Sequence, residues 1–196
     1  MTLDEMCIAA ARYSDRYDEF EKGESGKYED DALLYFEVFR DGINEAYTAV
    51  ARESGMPDCY ATTSIGSDGY VDLENLYPQV YGVKDVLNEQ MTSNLDYVFS
   101  TKFKLSVSNT NPGDKVTIFY HYIPERLVEP GDAPVFPESL VDPSLYISLA
   151  VARMWMSEKK FGYANQWLQQ YYTLLNRVKS GMQSSINRRI PRRRFR

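Results

Sequence analysis

General acid–base chemistry needs a group that titrates near neutrality, and His121 is the only histidine in the chain. It stands in the alternating run Phe119-Tyr120-His121-Tyr122, on the face opposite Tyr120 and Tyr122, and so reads as a surface or interface strand residue rather than a base. Cys7 and Cys59 are the only cysteines. A zinc site built from them and His121 would need a fourth ligand and three distant segments, so both read as ordinary reduced thiols. Gly23-Glu24-Ser25-Gly26-Lys27 has the outline of a phosphate loop, but Glu21 occupies the place of the first glycine. Tyr28 stands where a magnesium-holding Ser or Thr belongs, and the match fails. Asp68-Gly69-Tyr70-Val71-Asp72-Leu73-Glu74 clusters carboxylates as calcium sites do, yet an EF-hand loop starting at Asp68 would put Gln79 at the bidentate glutamate position. The expectation is therefore no catalytic residue, no metal and no cofactor: not an enzyme.

Charge is where the chain departs from an ordinary one. The net charge is -6, but no Asp or Glu follows Glu158, and residues 159 to 196 hold ten Lys and Arg. The preceding residues hold all 28 carboxylates against twelve cations. An acidic body with a basic end suggests an acidic partner for that end. The end itself, Asn187-Arg188-Arg189-Ile190-Pro191-Arg192-Arg193-Arg194-Phe195-Arg196, leaves three readings open. Arginine forks can pair bidentately with carboxylates of a protein groove while Ile190 and Phe195 fill shallow pockets. They can neutralise phosphates with counterion release, or they can simply solubilise the chain. Against nucleic acid stand the sequence pI of about 4.9 and the lack of an interleaved aromatic and basic face. The predicted docking residues are Arg188, Arg189, Ile190, Arg192, Arg193, Arg194, Phe195 and Arg196.

The elements that must position these residues follow from periodicity. Thr2 and Glu5 form a capping box and start a helix over 2–12. The acidic, glycine-containing stretch 14 to 30 reads as a loop. Phe36, Phe39, Ile43, Tyr47 and Val50 repeat at three and four residues in a helix over 31–54, capped by Asp30 or Asp31 and stopped by Gly55-Met56-Pro57. The period then changes to two, which predicts a β-rich insert over 58–123. Its clearest feature is an antiparallel hairpin of Phe103, Leu105 and Val107 with Val116, Ile118, Tyr120 and Tyr122, joined by 109–114. Four prolines between 124 and 142 make an extended connector. Asp142-Pro143 opens a helix over 143–158, and a second over 162–180 carries Ala164, Trp167, Leu168, Tyr171, Leu174, Leu175 and Val178. The core should join Phe36, Phe39, Ile43, Tyr47, Leu149, Trp155, Trp167, Leu168 and Tyr171. Beyond Gly181 no apolar stripe is expected, and the end should be flexible.

The 196 residues, 43% hydrophobic, suffice for one core and a small subdomain. No apolar stretch is long enough to span a membrane, and the acidic start Met1-Thr2-Leu3-Asp4-Glu5 is unlike a secretory signal, which points to a protein made in the cytoplasm. Sixteen tyrosines against nine phenylalanines favour surfaces half-buried between subunits. The expected fold is mainly α: a small bundle of about four helices interrupted by the β-rich insert, with residues 1–186 as one domain and 187–196 as a flexible basic arm.

Three stretches resemble the head-to-tail adaptor, or connector, proteins of tailed bacteriophages. Phe39-Arg-Asp-Gly-Ile43-Asn44-Glu45-Ala46-Tyr47-Thr-Ala-Val50 is similar to the second-helix "INEAY" pattern of that family. Val116-Thr-Ile-Phe-Tyr120-His-Tyr122-Ile-Pro124 resembles its last strand leading to a proline. Pro137-Glu-Ser-Leu-Val-Asp-Pro143-Ser-Leu145-Tyr146, continuing through Ala164-Asn-Gln-Trp-Leu-Gln-Gln-Tyr171, resembles its closing helix pair. The acidic loop 14 to 30 and the insert over 60 to 100 depart from the family. The resemblance implies a virion protein at the head–tail interface, a dodecameric homo-oligomeric ring beneath the portal, made in the host cytoplasm. Its partners would be the portal protein through the C-terminal arm, the tail or next connector protein, other copies of itself, and genomic DNA passing the channel without specific binding, with no membrane. An acidic body that repels phosphates suits such a channel. The alternative from another class is a small helical nucleic-acid-binding protein that uses the arginine-rich tail.

Overall fold

The computed structural model describes the backbone of residues 1–23 and 25–189, with side chains up to Gly181. The chain is mixed α/β, 41% helix and 21% strand, and the expectation of a mainly helical bundle is wrong. The reason lies in the middle of the chain, where six short strands build two three-stranded antiparallel sheets with a core of their own. Two compact units result: Met1–Ser54 with Glu125–Arg196, and Gly55–Pro124.

The first unit holds α1 (Leu3–Tyr13), α2 (Asp30–Ser54), α3 (Ser144–Ser157) and α4 (Phe161–Arg189). Thr2 and Glu5 make the reciprocal capping box at the start of α1. Asp142 Oδ1 accepts from Ser144 N at 2.8 Å, with Pro143 already in helical geometry, so Asp caps and Pro occupies the first position. Nine of the fourteen residues of α3 are buried, as expected of a helix covered on several sides. It packs against α1, α2 and α4. It approaches α2 closely at Gly42, where an added Cβ would lie 2.6 Å from Ala150 Cα. At the other end of α2, Gly55 takes φ +63° and terminates the helix.

Three features of this unit differ from the sequence reading. The acidic loop is pinned: Phe20 and Tyr28 are buried, stacked on each other at 4.4 Å and reaching Phe39 and Phe36. Tyr28 also donates to Asp4 Oδ1 at 2.7 Å, and Lys22 pairs with Asp4. Two aromatic anchors thus supply the burial that the polar residues around them cannot. Second, Trp155, Trp167 and Leu168 are only half-buried, whereas Phe36, Phe39, Ile43, Tyr47, Leu149 and Tyr171 lie in the core. Third, α4 does not stop at 180 but continues to Arg189. Gly181 lowers helix propensity without breaking the helix, and the first residue that cannot follow a helical neighbour is Pro191.

The second unit has sheet order β1-β6-β3 (Asp58–Ser64, Lys115–Tyr122, Val80–Asn88) and sheet order β2-β5-β4 (Tyr70–Asp72, Lys104–Val107, Tyr97–Phe99). Its core is Ile65, Val71, Leu73, Val86, Leu105, Val107, Val116, Ile118 and Tyr120. The expected pairing of β5 with β6 does not form. The turn 109–114 exists, with Asn109 at φ 58° and Asp114 closing on Asn111, but it docks on Ile65 and carries the chain from one sheet to the other. Both strands present an apolar face because both line the same core, which a hairpin would have explained equally well.

Candidate assembly surfaces

His121 lies on the outer face of the β1-β6-β3 sheet, opposite Asp58 in register. Its Nδ1 is 2.7 Å from Asp58 Oδ1, and Asp58 Oδ2 accepts from Lys84 Nζ at 2.8 Å. The three side chains thus run across three strands. The face continues with Tyr60 stacked on Phe119, ring centroids 5.6 Å apart, and with Thr62 Oγ1 3.0 Å from Thr117 Oγ1. The imidazole is held as part of a surface ladder. Cys7 is buried in α1, and burial pushes its thiol well above the ordinary range. Cys59 belongs to the other unit. Among the described residues no group of three or more His, Cys, Asp or Glu could hold a metal ion, and no helix is long and apolar enough to cross a membrane.

The two loop motifs resolve into turn structure. Gly23 N donates to Lys27 O at 2.9 Å and Gly26 N to Gly23 O at 2.9 Å, which closes a tight turn rather than a phosphate cradle. Asp68 accepts from Tyr70 N and from Lys104 Nζ, and these bonds hold its carboxyl below the usual range. Asp72 accepts from Glu74 N and Asn75 Nδ2. Both carboxylates are thus used locally.

The residues of the "INEAY" stretch act as fasteners for the proline-rich connector. Asn44, buried in α2, donates to Leu127 O at 2.9 Å and accepts from Leu127 N at 2.7 Å. The Tyr47 hydroxyl accepts from Val135 N at 3.0 Å, and its ring meets Phe136 and Tyr146 edge-on. Glu45 accepts from Arg153 Nε at 2.8 Å across to α3. One turn of α2 therefore fixes both the connector and the following helix.

Of the predicted docking residues, Arg188 and Arg189 fall on the last turn of α4. Ile190, Arg192, Arg193, Arg194, Phe195 and Arg196 lie outside the described residues. What sequence reasoning missed is a set of exposed apolar side chains on the helical unit. Leu33 and Leu34 are 43% and 59% exposed on the first turns of α2. A signal was available, because both stand off the stripe made by Phe36, Phe39 and Ile43. Seven of the sixteen tyrosines are also exposed, namely Tyr13, Tyr17, Tyr60, Tyr77, Tyr81, Tyr163 and Tyr172, which leaves aromatic surface on both units. No model of a known protein family matches the chain, and no curated protein matches it.

Proposed function

We propose that the chain is a non-enzymatic head-to-tail adaptor of a tailed bacteriophage, a virion protein that forms a ring beneath the portal and lets the genome pass. The observation that carries this reading is the role of Gly42, Asn44, Glu45 and Tyr47. The stretch that resembles the adaptor family does specific work in the fold, setting the α2–α3 approach and fastening the connector. Exposed tyrosines and leucines on a charged body support assembly, since apolar surface rimmed by charge marks protein–protein contact. Ring and arm divide the labour: the body makes subunit contacts, and the arginine-rich end, Arg188 to Arg196, docks on an acidic surface of the portal.

The test is to mix the purified chain with portal-bearing, tailless heads and image them. A ring at the portal vertex is expected, while free chain stays monomeric or weakly associated, because adaptor contacts are completed by the partner. A concentration-independent closed dimer would contradict the reading, since a two-fold pair consumes the surface a ring requires. A salt titration against duplex DNA separates the nucleic-acid alternative: an arm neutralising several phosphates gives a steep dependence of affinity on salt, and an adaptor gives none.

A further inference from the structure

Where the proline-rich connector turns into α3, Pro134, Pro137 and Pro143 restrict the backbone, and with Met6, Phe136 and Val141 they wall a cavity of about 140 Å³. Hydrogen bonds hold that frame. Val135 N donates to the Tyr47 hydroxyl at 3.0 Å, Val141 N to Pro137 O at 3.1 Å, and Leu3 N to Asp132 O at 2.7 Å. The space is therefore part of the fold, and little has to be ordered for an occupant to enter it.

Tyr146, in the first turn of α3, lines the same cavity and is 2% exposed. Its ring stands edge-on to Tyr47, but its buried hydroxyl has no hydrogen-bond partner among the described residues. A buried hydroxyl without a partner forfeits its hydration and receives nothing in return. Burial also pushes the ionisation of this phenol well up, so the group stays protonated and able to donate.

These walls define the chemistry of an occupant. A buried water takes up only about 30 Å³ and needs two to four polar partners, whereas the buried side chains here offer one hydroxyl. An apolar cavity of about 150 Å³ admits a benzene ring. The charged groups beside the cavity, Glu138 and the Met1 amino group, pair with each other, so an ion entering it would lose its hydration without gaining a free counter-charge. Phe136 and the Met6 thioether favour an aromatic face. We propose that this cavity binds a neutral, single-ring aromatic molecule whose oxygen accepts a hydrogen bond from the Tyr146 hydroxyl. The site stands whether or not the chain forms a ring.

The test is calorimetric titration of the full chain with phenol and with toluene, rings of nearly equal size of which only phenol carries an oxygen. The wild type should bind phenol more tightly than toluene. Tyr146→Phe keeps the ring and removes the hydroxyl, so the ratio of the two affinities should fall by about tenfold or more while toluene still binds. Its melting temperature should equal or exceed that of the wild type, because no hydrogen bond is lost. Ala133→Leu, at an exposed position in the cavity wall, should weaken both ligands without changing the melting temperature. No binding of phenol to the wild type at millimolar concentration, or an unchanged affinity ratio in Tyr146→Phe, would overturn the proposal. So would undiminished binding to Ala133→Leu, which would put the ligands elsewhere. A melting temperature of Tyr146→Phe well below the wild type would also overturn it, since a buried water would then already satisfy the hydroxyl.

Discussion

The side chain of Asn44 forms a closed pair of hydrogen bonds with the backbone of Leu127, 83 residues away in sequence, donating to its carbonyl and accepting from its amide. Both groups are buried, and the remaining amide hydrogen goes to Arg40 O at 3.0 Å. Asn44→Ala would strand a buried donor and a buried acceptor, at a cost of roughly 2 to 4 kcal/mol. Denaturant unfolding should show a lower midpoint with an unchanged slope if the fold is otherwise kept. A variant as stable as the wild type would show that water replaces the amide without loss.

Gly42 makes a second point about the same turn of α2. A methyl group there would meet the backbone of α3 at Ala150, so the helices must separate. Gly42→Ala should destabilise by about 1 to 3 kcal/mol through overpacking, although alanine is favoured by about 1 kcal/mol in a helix. Gly162, in the first turn of α4, has open space around it. Gly162→Ala should therefore be neutral or slightly stabilising in the same melting experiment, and opposite signs at the two glycines separate packing from propensity.

These residues show which parts of the fold could be read from sequence. Local signals were legible: the Thr2–Glu5 box, the Asp142-Pro143 start and the α2 stripe each depend on residues within a turn or two. Strand partners were not, because β5 and β6 have the alternation of a hairpin yet belong to different sheets across one core. Three-residue strands such as β2 and β4 carry too little pattern to register, so the sequence reads as mainly helical although the fold is mixed. The spacing on α4 predicts Trp167 in the core, but it lies at the rim against Tyr13, ring centroids 5.4 Å apart. Spacing tells which face turns inward and not how deep the partner covers it. The assembly surfaces were legible only in outline, as charge asymmetry and tyrosine excess, since the exposure of Leu33 and Leu34 depends on packing elsewhere.

Acid should loosen the turn that receives α1. Asp132 accepts from the amides of Val128 and Glu129 at 2.7 and 2.9 Å, and these bonds hold its carboxyl below the usual range. The same turn accepts the Leu3 and Asp4 amides at Asp132 O and Pro130 O. A carboxyl depressed in the folded state stabilises fully above its unfolded value, near ~4, and that contribution is lost as pH falls through the folded value. The melting temperature of Asp132→Asn should therefore lie below that of the wild type at pH 7, and the gap should narrow below about pH 4. A gap independent of pH would assign the effect to the shape of the side chain instead of its charge.

Removal of residues 190 to 196 separates the arm from the body. Every hydrogen bond and ring contact described above that holds the bundle lies before residue 182, so the truncated chain should melt at the wild-type temperature. It loses Arg192, Arg193, Arg194 and Arg196 together with Ile190 and Phe195, that is, the charge and the apolar anchors proposed to meet the portal. Attachment to portal-bearing heads should fall steeply. Replacing the arginines of the arm with lysine keeps the charge but removes the planar fork that pairs two oxygens at once. An intermediate loss for that variant is expected if carboxylates of the portal are the acceptors. Full attachment of the truncated chain would remove the docking role from the arm.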